Sequence, residues 1–144
     1  LDNKELWKTY CNTIHSLHAH NSKAWAQTGL TMPQIKIMFI LSHKGEMTVS
    51  SIANMLNVRA PNITFILDHL EEKKIVCRKR CKDDRRLVLV ALTKKGHQLF
   101  AKLHEANLDN FLKTVAIMKD KDKEALRQGL KALENACKIR KEEI

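Results

Sequence analysis

Apolar residues recur at spacings of three and four through residues 3 to 27, where Leu6, Tyr10, Ile14, Leu17 and Trp25 mark one face of an amphipathic helix. Gly29 is a natural stop for it. A second helix is expected from about Thr31, with Pro33 in the first turn, where a missing N–H is harmless. Ile35, Met38, Phe39 and Leu41 are its expected inward face, and Gly45 ends it. Thr48 caps a short third helix, Val49 to Leu56, with Ile52, Ala53 and Leu56 as its buried stripe. Asn57 suits the left-handed conformation that stops a helix. A fourth helix opens near Arg59 and runs to about Lys73, with Ile63, Ile66, Leu67 and Leu70 on one face.

The period then changes from 3.6 to 2. Val76, Arg78 and Arg80 alternate with Cys77, Lys79 and Cys81, and Leu87 to Leu92 is a run of leucine and β-branched residues. Between them lies the polar stretch Lys82-Asp83-Asp84-Arg85-Arg86, so the two runs predict a β-hairpin. Thr93 caps a long fifth helix with Leu99, Phe100, Leu103, Phe111, Leu112 and Val115 apolar. Lys119 to Lys123 reads as a charged break, and a last helix is expected from about Asp122 to Ile139. The expected fold is mainly α with a small β-hairpin.

A length of 144 residues fits one domain. The longest apolar run, Ile35 to Leu41, is interrupted by Lys36, so no transmembrane span of ~20 residues exists and no membrane partner is expected. The 26 Lys and Arg against 16 Asp and Glu give a net charge of +10, which points to a polyanion as partner, nucleic acid before all. The four cysteines, Cys11, Cys77, Cys81 and Cys137, form no CxxC pair, and no signal peptide is visible, so a cytoplasmic location is expected. The chain opens on Leu1 rather than methionine, and a first residue or so is expected before it.

Two short helices separated by a few residues have helix-turn-helix spacing, in which the second enters the major groove by its N-terminal end. The residues exposed at that end are Arg59, Ala60, Asn62, Thr64 and Phe65, with Pro61 among them. Arginine and asparagine can contact bases in bidentate fashion, and threonine can touch a base or a phosphate. The hairpin strengthens this reading. Lys73 to Arg86 holds eight basic and two acidic residues, more than half the excess charge of the chain. A hairpin so charged, directly after such a helix, is a wing suited to lie on phosphates. Thr48, Arg78, Arg80, Lys82, Asp84, Arg85 and Arg86 join the DNA-binding candidates.

At these residues the sequence resembles the MarR family of winged helix-turn-helix repressors. The likeness runs from Thr48 to Leu56, through Asp68 to Val76 and Arg78. It is strongest at Asp84-Arg85-Arg86, followed by Leu92-Thr93 and Lys95-Gly96, an Asp-x-Arg wing signature and a Leu-Thr-x-x-Gly start to the next helix. The resemblance implies a single domain over residues 1–144, with a winged lobe over about 31–95 and helical dimerisation regions over 1–28 and 96–144. It implies a homodimer on a pseudo-palindromic operator in double-stranded DNA. It also implies a wing arginine at Arg86, oriented by Asp84, and a small-molecule effector between the dimer helices and a lobe. Phe65 stands where many relatives carry arginine, Lys74 where glycine is usual, and Arg59 is atypical at its position.

Dimerisation also follows from the pattern itself. Leu6, Trp7 and Tyr10 in the first helix, and Leu126, Leu130, Leu133 and Cys137 in the last, form apolar faces that a lobe of about 65 residues cannot cover. The effector pocket is expected among the first, second and fifth helices, with Met38, Trp25, His18 and Phe100 in its walls, read as core residues rather than ligand contacts, so that the ligand-binding residues stay unassigned.

Other chemistries are weaker. His15 and His18 share a helix face, with His20 close by and Cys11 one turn before His15, but this spacing alone does not make a ligand set, so no metal and no cofactor is expected. Cys77 and Cys81 flank Arg78, Lys79 and Arg80, which could lower a thiol pKa, and Cys11 lies on the first helix. A metal- or redox-sensing regulator of the same fold is therefore an alternative reading, as is a non-specific basic nucleic-acid-binding module. An enzyme is not expected, since there is no Gly-rich phosphate loop, GxSxG or HExxH, and the arginines around Asp83-Asp84 keep both carboxylates ionised.

Overall fold

The computed structural model describes residues 2–142. The chain folds as two compact units, one up to Asn107 and one from Leu108 onward.

The first unit opens with α1, Asn3–Ala26, whose N-terminus is capped by Asp2 accepting the Lys4 N–H at 2.9 Å. Helix α2, Met32–Lys44, begins after Thr31, whose N–H is accepted by the Gln34 side chain at 2.9 Å. Gly45 then takes a left-handed φ of 75° and ends it. A two-residue strand β1, Met47–Thr48, leads into α3, Val49–Leu56, and then α4, Ala60–Glu72. Strands β2, Val76–Arg80, and β3, Val88–Leu92, form the hairpin, and α5, Lys94–Ala116, follows. The sheet is antiparallel in the order β1-β3-β2, with Val76 opposite Leu92, Arg78 opposite Val90 and Arg80 opposite Val88.

The core of the lobe explains this arrangement. Ile37, Met38 and Leu41 of α2, Ile52 and Ala53 of α3, and Ile63, Leu67 and Leu70 of α4 meet Ile75, Val76, Val90 and Leu92 from the sheet side. Each fully buried aliphatic side chain contributes about 1.5–3 kcal/mol relative to exposure. Core residues therefore set the angle between α3 and α4, and the outer faces of the two helices are left for other contacts.

Three expectations change. The inward face of α2 is Gln34, Ile37, Met38 and Leu41, while Ile35 is half-buried and Phe39 is exposed. Apolar residues surround this helix, with Ile35, Ile37, Phe39 and Ile40 spread around its axis, so no polar face fixes its phase in the sequence. The hairpin is part of a three-stranded sheet, because Met47 and Thr48 pair with Val90 and Leu89. Finally, the last helix, α6, spans Asp120–Glu142, so the charged break shrinks to residues 117–119. The Lys119 carbonyl accepts the Asp122 and Lys123 N–H groups, and the acidic Asp120 and Asp122 suit the positive end of the helix dipole. This helix and the end of α5 make up the second unit.

The start of α5 depends on a close backbone approach. The Thr93 N–H donates to the Ile75 carbonyl at 3.0 Å, the Thr93 hydroxyl donates to the Lys74 carbonyl at 2.6 Å, and its oxygen accepts the Gly96 N–H at 3.0 Å. A Cβ at Gly96 would overlap the Ile75 carbonyl oxygen. Gly96→Ala is therefore expected to destabilise the lobe by about 3 kcal/mol, the upper range for overpacking, because the obstacle is backbone. Denaturant melting measures this, and a loss below ~0.5 kcal/mol, typical of neutral surface positions, would contradict it.

Candidate nucleic-acid interface

The turn between α3 and α4 is built from local signals. The Thr48 hydroxyl accepts the Ser51 N–H at 3.1 Å and so caps α3. Asn57 ends the helix at φ 53°, in the left-handed region, and the Val58 N–H returns to the Ala53 carbonyl at 3.1 Å. Arg59 is extended and forms the N-cap of α4, and Pro61 lies in its first turn. Arg59, Ala60, Pro61, Asn62, Thr64 and Phe65 are all exposed, on the side away from Ile63, Leu67 and Leu70. The acids of α4, Asp68, Glu71 and Glu72, all lie in its C-terminal half. Its first two turns are therefore free of negative charge and lie at the positive end of the helix dipole.

The wing is fixed to this helix by one residue. Arg78 of β2 donates from Nη2 to Asp68 Oδ1 at 2.6 Å and from Nη1 to Glu71 Oε2 at 2.5 Å, while its own backbone N–H reaches Glu71 Oε1 at 3.2 Å. Burial alone would lower the Arg78 pKa, but the hydrogen bonds to Asp68 and Glu71 outweigh this and raise it. Arg78 thus differs from the other DNA-binding candidates: its guanidinium ties the hairpin to α4 and is committed to two carboxylates. Sequence reading misses this clamp, because Asp68 and Glu71 lie seven to ten residues away on a different element. A second tie, also invisible in sequence, pairs Lys79 with Glu46 just before β1.

Beyond the strands, the hairpin closes with Cys81 N–H on the Leu87 carbonyl at 2.9 Å. Within the loop, Asp84 Oδ1 accepts the Arg86 backbone N–H at 3.0 Å and Arg86 Nε–H at 3.1 Å, and Oδ2 accepts from Arg86 Nη2 at 3.2 Å. The pair is bidentate, while the Arg86 side chain remains 90% exposed. Asp84 uses two of the five guanidinium N–H donors, leaving three for a ligand. The Arg86 hydrogen bonds hold the Asp84 carboxyl below the usual carboxylate range. Arg80, Lys82 and Arg85 are exposed around this pair.

Lys74 stands at φ 59°, left-handed, between the Lys74 N–H bond to Glu71 O at 2.8 Å and the Ile75 N–H bond to Leu70 O at 2.9 Å. Glycine adopts this conformation without the steric cost that a lysine Cβ carries.

The terminal apolar faces are in solvent in the single chain. Trp7 is 65% exposed, with Leu6 and Tyr10 beside it also exposed, and Leu130 and Leu133 are each 51% exposed, with Leu126 and Cys137 on the same helix also exposed. Near α1, an open cleft of about 400 Å³ is lined by His15, His18, Ala19, Trp25 and Met32. Of the expected pocket walls it contains His18 and Trp25 only. Met38 is fully buried in the core, and Phe100 belongs to an aromatic cluster with Phe39, His43 and His104. The side chain of His20 lies outside the described residues. Among the described residues, no group of three His, Cys, Asp or Glu side chains could hold a metal ion, and no helix is long and apolar enough to cross a membrane.

A short helix pair of this geometry, a three-stranded sheet and a basic hairpin loop clamped to the second helix define a winged helix-turn-helix DNA-binding regulator. The MarR family model matches residues 30–88. An HTH-type transcriptional regulator of Bacillus subtilis, YfiV, is 30% identical over 141 residues, covering 95% of this chain and 88% of that protein. The chain belongs to the MarR family, whose members are transcriptional regulators rather than enzymes. The fold agrees with a MarR family protein from Bacillus stearothermophilus at a TM-score of 0.85, with 19% identity and 94% of each chain covered. It also agrees with an S. aureus MepR mutant bound to an oligodeoxyribonucleotide at a TM-score of 0.67, with 19% identity, 95% of this chain and 99% of that one covered.

Proposed function

We propose that this regulator acts as a homodimeric, effector-responsive repressor on an inverted operator. In this reading α4 enters the major groove by its first two turns and Arg86 enters the adjoining minor groove. One observation carries the proposal: the acid-free first two turns of α4 and the exposed, carboxylate-oriented Arg86 belong to one rigid unit, joined by the Arg78 clamp. The likeness to a DNA-bound MepR supports the same docking.

The dimer follows from the apolar terminal helices, residues 1–28 and 96–144, which another copy of the chain would cover. Two lobes about one helical turn apart (~34 Å) reach successive major grooves. A ligand in the cleft at His15, His18 and Trp25 that favours another lobe spacing would shift the population away from the DNA-binding form. With the operator occupied, other proteins are kept from the same duplex, which is repression by exclusion.

Salt dependence tests the electrostatic part. Each phosphate neutralised by the wing and by Arg59 releases condensed counterions, so a plot of log affinity against log salt is expected to fall with a slope of about −4 to −8 for a dimer. A slope near zero, or a preference for RNA over duplex DNA, would contradict the proposal.

A further inference from the structure

We infer that Phe65 is a specificity-determining residue, which selects a thymine in each half-site by packing its ring on the C5-methyl group in the major groove. The inference rests on the docking proposed above. Phe65 is 66% exposed, although phenylalanine is among the side chains most often buried. It sits at the middle of the α4 face opposite Ile63, Leu67 and Leu70, one turn beyond Pro61 and Asn62. Five residues separate it from Ala60, about 7.5 Å along the helix axis, so it stays inside a major groove ~12 Å wide when the N-terminus enters.

The surroundings narrow the occupant. On the exposed face Phe65 is flanked by Pro61, Asn62, Asp68 and His69, so the patch is one ring and one small proline among polar groups and lacks the contiguous apolar area of a protein–protein core. The neighbouring wing is strongly basic, which favours a polyanion over an apolar partner. Asp68, the acid next to this face, is already paired with Arg78, so it does not repel phosphates as a free carboxylate would. The His69 ring meets Phe65 edge-on, with centroids 4.7 Å apart and planes at 78°, which steadies the ring from the C-terminal side. In the major groove the apolar feature that an aromatic ring can contact is the thymine methyl, which no other base presents.

The test uses the operator that the intact chain selects from a randomised duplex pool. Each symmetric pair of thymines is replaced in turn by deoxyuridine, which removes only the methyl group. At one pair the affinity is expected to fall about fourfold for one half-site and about fifteenfold for both, the scale of burying one methyl-sized group once and twice. Phe65→Ala is expected to lose a similar factor on the thymine operator and to be indifferent to deoxyuridine at that pair, with unchanged denaturant melting. The inference is overturned if the selected half-sites contain no thymine, if no replacement weakens the intact chain, or if Phe65→Ala responds to every replacement as the intact chain does. Each of these leaves the docking of α4 standing. Failure of the intact chain to select any duplex overturns that docking as well.

Discussion

Deletion of residues 120–144 is expected to leave a chain that aggregates or unfolds, and that binds no full operator. Leu126, Leu130, Leu133 and Cys137 recur at helical spacing on α6 and are exposed in the single chain, as are Leu6, Trp7 and Tyr10 on α1. Apolar repeats of this kind are stable in water when a partner covers them, and obligate dimers often have no stable folded monomer. Removing α6 takes away one half of the proposed cover and leaves the other half in solvent. Burial of each large side chain is worth about 1.5–3 kcal/mol, so several per protomer exceed a large part of the stability of a small domain. Sedimentation of the intact and truncated chains across micromolar concentrations measures this. A truncated chain that is a well-folded monomer and still binds a full operator would contradict the dimer.

Arg86→Ala is the second large effect. Its guanidinium is held by Asp84 through two contacts and stays exposed, so little freedom remains to be lost when it enters a narrow, electronegative minor groove. The expected loss of operator affinity is about 1–3 kcal/mol, roughly five- to 150-fold. Thermal stability is expected to change by less than ~0.5 kcal/mol, as for other exposed positions. Arg86→Lys does not restore the affinity, because an ammonium cannot form the planar pair. Lys82→Ala, in the same loop, is the control: it weakens operator and random duplex alike, whereas Arg86→Ala weakens the operator more. Equal losses for both variants on both duplexes would reduce Arg86 to one charge in a diffuse field. The pH dependence has a definite sign. Because the Asp84 pKa is depressed in the fold, the pair is complete above the ordinary carboxylate range and is lost only as pH falls through the lowered value. Operator affinity is therefore expected to show no step from this pair between about pH 8 and pH 5.

The parts of the structure that are legible in sequence are those set by neighbours in the chain. Thr48 at the α3 cap, Asn57 at its left-handed end, Pro61 in the first turn of α4 and the Asp84–Arg86 pair all depend on residues within a few positions. The features that escape it depend on distance or on ambiguity. Arg78 reads as one more wing cation until the fold brings Asp68 and Glu71 to it. Met47 and Thr48 are too few to show a strand period and pair only because β3 lies beside them. Phe39 reads as inward because α2 is apolar around most of its circumference, and packing decides the phase instead. Gly96 illustrates the reverse case, where a glycine in a helix start, visible as a motif, acquires its physical reason from the Ile75 carbonyl.

Footprinting of the intact chain on the duplex it selects from a randomised pool tests the central claim most directly. A dimer with α4 in the major groove and Arg86 in the minor groove predicts two inverted protected half-sites whose centres lie about one helical turn (~34 Å) apart, with minor-groove protection beside each. Uniform protection along the duplex, with no half-sites and equal affinity for random sequence, would show a non-specific basic module and contradict the account.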